Sequence, residues 1–398
     1  MRTGSLRISS RSSNRAAMQI SAILGLLEAL APPAYQESYD NAGLITGSGT
    51  WECTGVLTTL DATEEVVREA ILRGCNLIVA HHPIVFRGLK RLTGANYIEQ
   101  TVIAAIKGDV AIYAIHTNLD NVVSGGVNGR IAERLGIVGG RPLLSREGVL
   151  QKLFCFVPVD HLEVVRSAIF AAGAGHIGRY SECGFAVEGA GTFLAGEGTK
   201  PFVGGQDSRH NEKEARLEVV VPAHLSARVV KAMIAAHPYE EVAYDLVSLA
   251  NTHPDVGSGL IGELGEEISE MAFLDRARAV FGVAVIRHTR LTGRGVKRVA
   301  VCGGAGSFLI SKALSAGANF YITSDVKYHE FFDAGDGMVI ADVGHFESEQ
   351  FTVDLLFEVL REKFRNFAVL KSDVKTNPVN YYTGFGGSDP VGDVHSIK

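Results

Sequence analysis

The sequence predicts an α/β protein in which two related α/β lobes form one domain, interrupted by an inserted ferredoxin-like α+β domain. Three observations predict it. Short apolar runs alternate with helical patterns from about residue 55 and again from about residue 296, as in βαβ units built around a largely parallel sheet. Residues 151–249, between them, carry a weak internal repeat that the flanks lack. Three of the expected strand ends run directly into His and carboxylate residues.

The 398 residues exceed one ordinary core and suit two or three lobes of roughly 100–200 residues each. Residues 1–17 are rich in Arg and Ser and hold no acid, which fits a mitochondrial transit peptide or simply an extended start; either way they are expected to form a flexible tail outside the fold. Met18 opens the first patterned segment, where Ile20, Ile23, Leu24, Leu27 and Leu30 repeat at helical spacing until Pro32-Pro33 stops them. The first lobe, 18–150, then reads strand 54–60, helix 64–73, strand 76–80, helix 97–106 and strand 110–115. In the insert, 151–250, Phe156-Val157-Pro158 with Val165 and Ala168–Ala172 resembles Val220-Val221-Pro222 with Val229 and Ala232–Ala236. Each copy reads strand, helix, strand, so the pair predicts a βαββαβ module with a long polar excursion over 189–213. After a polar linker, 251–259, the second lobe, 251–398, resumes with strand 296–301, helix 308–316, strands 319–323 and 338–342, and a long helix 350–364.

Composition narrows the function classes. Hydrophobic residues are 46% and charged residues 21%, near the globular average, which excludes a disordered or fibrous chain. A net charge of −6 with no aromatic-interleaved Lys/Arg run argues against nucleic acid as a partner. Five cysteines without a C-x-x-C pair read as buried thiols in a reducing compartment. No apolar run approaches the ~18 residues that span a bilayer. A cytoplasmic location is expected, mitochondrial only if 1–17 is a transit peptide.

The chemistry gathers at strand ends, where ligands collect in open α/β sheets. His81-His82-Pro83 follows one apolar run, and Pro83 biases His82 toward an extended backbone. Neighbouring side chains on extended chain point to opposite sides, so the pair serves two adjacent ions better than one; alone, such a pair is more often a surface or hydrogen-bonded feature than a ligand. His116-Thr117-Asn118-Leu119-Asp120 follows the next strand, with Asp120 as ligand and His116 either orienting it or ending the strand. His345 and Glu349, in Gly344–Glu349, are four apart and share a helix face, while Glu347 points elsewhere and merely complements the helix dipole. Five side chains, His81, His82, Asp120, His345 and Glu349, thus suit two divalent metal ions, Zn, Fe or Mn, with positions left open for water. A glycine-rich turn, Gly303, Gly304, Gly306 and Ser307, either cradles phosphate on its N–H groups or is a tight packing turn. Asp325 and His329 follow the next strand and are the candidate catalytic residues, with His329 as general acid or base.

These motifs, in this order, resemble the GTP cyclohydrolase I type 2 homologue family, the NGG-interacting-factor-like dinuclear metal proteins. Tyr39-Asp40-Asn41-Ala42-Gly43-Leu44 is similar to its N-terminal signature, usually Trp-Asp-Asn-Val-Gly-Leu, and the resemblance runs over nearly all of 18–398. Carried over residue by residue, it implies the same ligand set, His81, His82, Asp120, His345 and Glu349. It also implies that the insert, with His237-Pro238-Tyr239-Glu240-Glu241, is the PII-like or CutA-like module of longer members, and that the chain forms a homo-oligomer, trimer-based or hexameric. The expected function is metal-dependent hydrolysis of a nucleotide-like or phosphorylated small molecule. The other class is a non-enzymatic regulatory or metal-handling oligomer with the insert as its sensing module.

Overall fold

The computed structural model describes residues 18–382; the expected tail, 1–17, lies outside them. Helix α1 (Ile20–Leu30) buries Ile20, Ile23, Leu24 and Leu27, and the chain leaves it at Ala31 ahead of the two prolines. Strands β1 (Gly43–Thr46), β2 (Val56–Asp61), β3 (Leu77–His82) and β4 (Ala111–Ala114) follow, with helices α2 (Glu64–Leu72) and α3 (Tyr97–Lys107) as crossovers. Both helices start where the sequence supplies a cap. The Thr63 hydroxyl accepts from the Val66 N–H and the Asn96 side chain from the Glu99 N–H. Strands β2, β3 and β4 are parallel and buried on both faces, β1 runs antiparallel to β4, and the sheet order is β1-β4-β3-β2-β15, where β15 is Val369–Lys371.

Beyond the short α4 (Thr117–Asp120) and α5 (Val127–Leu135), strand β5 (Ile137–Ser145) leads to the segment expected as an insert. There the chain runs β6 (Leu150–Pro158), α6 (Leu162–Ala171), β7 (Gly184–Leu194), β8 (Arg209–Pro222), α7 (Ser226–Ala236) and β9 (Tyr244–Ser248). These strands form their own antiparallel sheet, ordered β7-β8-β6-β9. Alternate residues Leu153, Cys155 and Val157 of β6 and Leu217, Val219 and Val221 of β8 pack with Val165, Ile169, Val229 and Met233 of the two helices.

The remaining chain supplies β10 (Gly257–Ser269), α8 (Glu270–Phe281), β11 (Arg287–His288), β12 (Gly295–Ala305), α9 (Ile310–Ser315), β13 (Phe320–Ser324), β14 (Val339–Asp342), α10 (His345–Glu349) and α11 (Phe351–Lys363). The second sheet is ordered β11-β14-β13-β12-β10-β5, with β12, β13 and β14 parallel. Sheet membership does not follow the segments 18–150 and 251–398: β5 pairs with β10 in the second sheet, and β15 pairs with β2 in the first. One core fills the space between the two sheets. Val56, Leu77, Val79 and Tyr113 from one face meet Val299, Val301, Phe320, Ile322 and Val339 from the other, through α1, α5, α8 and α11. The alternate residues Leu57, Ile78, Ala80 and Ile112 point outward onto α2 and α3, and Ala300, Tyr321 and Ile340 onto α9. This double burial explains why the strands read as unbroken apolar runs. The carboxyl ends of both parallel sets open on one cleft. None of the described helices is long and apolar enough to cross a membrane.

Candidate metal centre

The cleft has a volume of about 1490 Å³ and is lined by residues from both sheets, among them Asp61, His82, His116, Asp120, His345 and Glu349. The expected ligands therefore converge. His81 and His82 end β3, Asp120 ends the single turn α4, and α10 carries His345 and Glu349 on one face. Glu349, almost fully buried, lies between two trios. Its Oε1 is 3.7 Å from His81 Nε2, which is 3.6 Å from Asp120 Oδ1. Its Oε2 is 2.9 Å from His82 Nε2 and 3.1 Å from His345 Nε2, and these two nitrogens are 3.3 Å apart. Ligand atoms held about 2.0–2.1 Å from a tetrahedral zinc stand roughly 3.3 Å from one another, so these are groups that could hold a metal ion.

The protonation pattern points the same way. His81 Nδ1 is 2.8 Å from the Ile115 carbonyl, which requires an N–H on Nδ1 and leaves a lone pair on Nε2. Carboxylates face the other Nδ1 atoms: Asp61 on His82 at 2.7 Å, Asp325 on His345 at 2.6 Å and Asp40 on His116 at 2.8 Å. Three imidazole nitrogens are thereby aimed at one carboxylate, each backed by an acceptor that raises its basicity. His81 Nε2 and Asp120 Oδ1 are buried without a hydrogen-bond partner, a costly arrangement unless something positive sits between them. The donor set, imidazole plus carboxylate, fits a divalent cation such as Zn, Fe or Mn.

Electrostatics describe a cavity built around positive charge. Burial and the Glu349 charge push the Asp120 carboxyl well above its usual range. Burial also opposes ionisation of Glu349, but the surrounding imidazoles of His345, His81 and His82 outweigh it and hold the carboxyl well below its usual range. Burial pushes His81 down. It acts likewise on His82 and His345, yet Asp61 and Glu349 bring His82 up to about 10, and Glu349 and Asp325 bring His345 up to about 9. Protons do here what cations would do.

The glycine-rich turn is part of this construction. The Gly303 N–H donates to Asn128 Oδ1 and the Gly304 N–H to Ser348 Oγ, both at 3.0 Å, so neither is free to cradle a phosphate. Gly306 packs on Thr323 and Tyr321, and Ser307 opens the turn before α9. Gly304 has φ +65°, and a Cβ there would stand 2.3 Å from Glu349 Oε1; glycine leaves room for the shared carboxylate. Asp325 adopts φ +55°, a conformation aspartate tolerates better than most residues, and spends its carboxylate on His345. His329 does not reach the cleft: it is exposed on the turn Tyr328–Ala334 and stacks on Phe332, because that turn carries it past the end of β13. Glu347, expected to point away, lines the cleft and accepts from Asn377 Nδ2 at 2.9 Å.

Two carboxylates that hold the histidines escape the strand-end reading. Asp61 pairs in register with His82 across β2 and β3, and its second oxygen accepts from Thr376 Oγ1 at 2.6 Å. An acid one residue past the apolar run 54–60 was the available signal. Asp40 takes a hydrogen bond from the Thr117 hydroxyl and another from the Thr117 N–H at 3.0 Å while it holds His116. A ring nitrogen of His116 belongs with His81 and His82 in a further group able to hold an ion.

Fold and site together define a mixed α/β protein whose clustered His, Asp and Glu side chains could bind metal. A family model described as Duf34/NIF3 (NGG1p interacting factor 3) matches residues 18–378, and the chain belongs to that family. Curated relatives named GTP cyclohydrolase 1 type 2 homolog are 39% identical in Halalkalibacterium halodurans, covering 90% of this chain and 98% of the relative, and 36% identical in Bacillus subtilis, covering 90% and 97%. Among solved structures, a Bacillus cereus protein related to NIF3 is 38% identical with a TM-score of 0.81, covering 92% of this chain and all of that one. A Staphylococcus aureus protein is 28% identical with a TM-score of 0.73 over the same shares.

Proposed function

We propose that this chain binds two divalent cations, Zn, Fe or Mn, in the two trios that share Glu349, and hydrolyses a nucleotide-like or phosphorylated small molecule. The observation that carries this is the aim of His81, His82 and His345 at one buried carboxylate, with two buried atoms left unpaired beside it. His81 and Asp120 would hold one ion, His82 and His345 the other, with Glu349 giving one oxygen to each. A pair of such ions supplies Lewis acidity and brings the pKa of water toward neutrality. Asp61 and Asp325 fix the ring planes and keep Nε2 free, while the buried end of the cleft excludes bulk water from Glu349. The shared name of the curated relatives is the reason for placing a nucleotide among the substrates.

The test is metal analysis of the purified chain followed by turnover of a nucleotide and phosphoester panel. Two equivalents of metal and turnover that Asp120→Ala abolishes support the reading. Two equivalents without turnover of any member leave the regulatory or metal-handling oligomer instead.

We also infer that 151–250 is a separate ferredoxin-like domain of the PII or CutA kind, since its βαββαβ order and β7-β8-β6-β9 sheet fit that topology. A trimer-based or hexameric homo-oligomer in the cytoplasm completes the proposal, and light-scattering mass on the full chain tests its assembly.

A further inference from the structure

The loop that follows the two histidines of β3 carries side chains that the proposed hydrolysis does not use. Phe86 lines the cleft with its ring 5.5 Å from the His116 ring and nearly perpendicular to it, and the residue is 47% exposed. Arg87, the next residue, is exposed and lines the same cleft. Among the described residues no carboxylate pairs with it. The other guanidinium lining the cleft is committed, since Arg287 binds Asp342 at 3.0 Å and the Val326 carbonyl at 2.8 Å. The loop is also anchored: Asn41 Nδ2 donates to the Val85 carbonyl at 2.6 Å. Adjacent residues of one segment thus serve both halves of the recognition surface, with Asp40 holding His116 and Asn41 holding the backbone beside Phe86.

An open aromatic face and an uncommitted cation, side by side at a site rich in carboxylates, are complementary to one ligand chemistry. We propose that the cleft selects a planar aromatic ring bearing an anionic group, with Phe86 stacking the ring and Arg87 pairing the anion. The proposal rests on reading this cleft as the substrate site, and it makes Phe86 and Arg87 specificity residues with Asn41 as the residue that positions them. Phe308, from the turn before α9, lines the cleft from the second sheet and offers a further apolar wall.

The experiment compares phenylphosphonate with methylphosphonate by calorimetric titration of the full chain loaded with zinc; neither has a phosphoester bond to break, and they differ only in the ring. Phenylphosphonate should bind about tenfold tighter, the increment of one aromatic stack. Phe86→Leu should erase that difference while leaving methylphosphonate unchanged. Arg87→Gln should weaken both about tenfold, and Asn41→Ala should reduce both effects. Phe86 and Arg87 are surface positions, and unchanged melting of their variants excludes misfolding. Equal affinity of the two probes for the wild type, or wild-type affinity in Arg87→Gln, overturns the proposal. Turnover of p-nitrophenyl phosphate, measured in parallel, separates the two readings. Ring-selective binding without turnover of it or of any other nucleotide or phosphoester in the panel sinks hydrolysis alone, and turnover without ring selectivity sinks this proposal alone.

Discussion

Replacing Gly304 by Ala tests the shared carboxylate most directly. The new Cβ would lie 2.3 Å from Glu349 Oε1, where real Cβ atoms stay beyond 3.0 Å, so the carboxylate must retreat by about 0.7 Å. Metal sites tolerate only about ±0.2 Å in ligand distance. The expected outcome is a loss of metal affinity of about 10- to 100-fold, the range seen when groups around a ligand are disturbed, read by competition with a chromogenic chelator. The backbone adds its own cost, because φ +65° disfavours a side chain by about 1–2 kcal/mol. Spread over an unfolding entropy of about 2 cal/mol/K per residue, that lowers the apo melting midpoint by about 1–3 °C. Gly139→Ala is the matched control: φ is +66° and no atom lies within 4 Å of the added carbon, so it should share the thermal loss and keep the metal. Wild-type affinity in Gly304→Ala, or equal affinity loss in Gly139→Ala, would refute the argument.

Asp61→Asn and Asp325→Asn should each weaken metal binding by about tenfold or more, whereas His329→Ala, exposed and away from the cleft, should leave it unchanged; chelator competition on all three decides. Hydrogen bonds from the Thr93 N–H, the Thr93 hydroxyl and the Ala95 N–H bring Glu99 down to about 2. Because its folded value lies below its unfolded one, its stabilisation is fully present above about pH 4.5 and fades as pH falls toward 2. The melting difference between wild type and Glu99→Gln should therefore be larger at pH 7 than at pH 3, and a constant difference counts against this. Excising 149–253 and closing β5 onto β10, which pair at Ser145 and Gly257, should preserve metal affinity, since every candidate ligand lies outside that stretch. Metal analysis of the shortened chain checks it.

Much of the candidate site was legible because parallel strands buried on both faces leave only their ends for polar residues. His81-His82, Asp120, and His345 with Glu349 stood where apolar runs stopped, and the structure gathers them about Glu349. Partners set by register rather than periodicity were not legible. Asp61 matters because β2 and β3 align it with His82, and Asp40 because a loop far along the chain carries it to His116 and Thr117. His329 failed for the complementary reason: position just after a strand says nothing of which way a following turn carries a side chain. The edge strands β5 and β15 escaped as well, the first interrupted by Gly139-Gly140 and Pro142, the second only three residues long.

Those two edge strands tie the architecture together. Each sheet takes one border from the other segment of the chain, β5 into the second and β15 into the first, so the halves are interlaced as well as packed. Prying the cleft apart would mean unzipping a backbone ladder, and a swinging jaw is therefore a poor picture of how this protein admits a ligand.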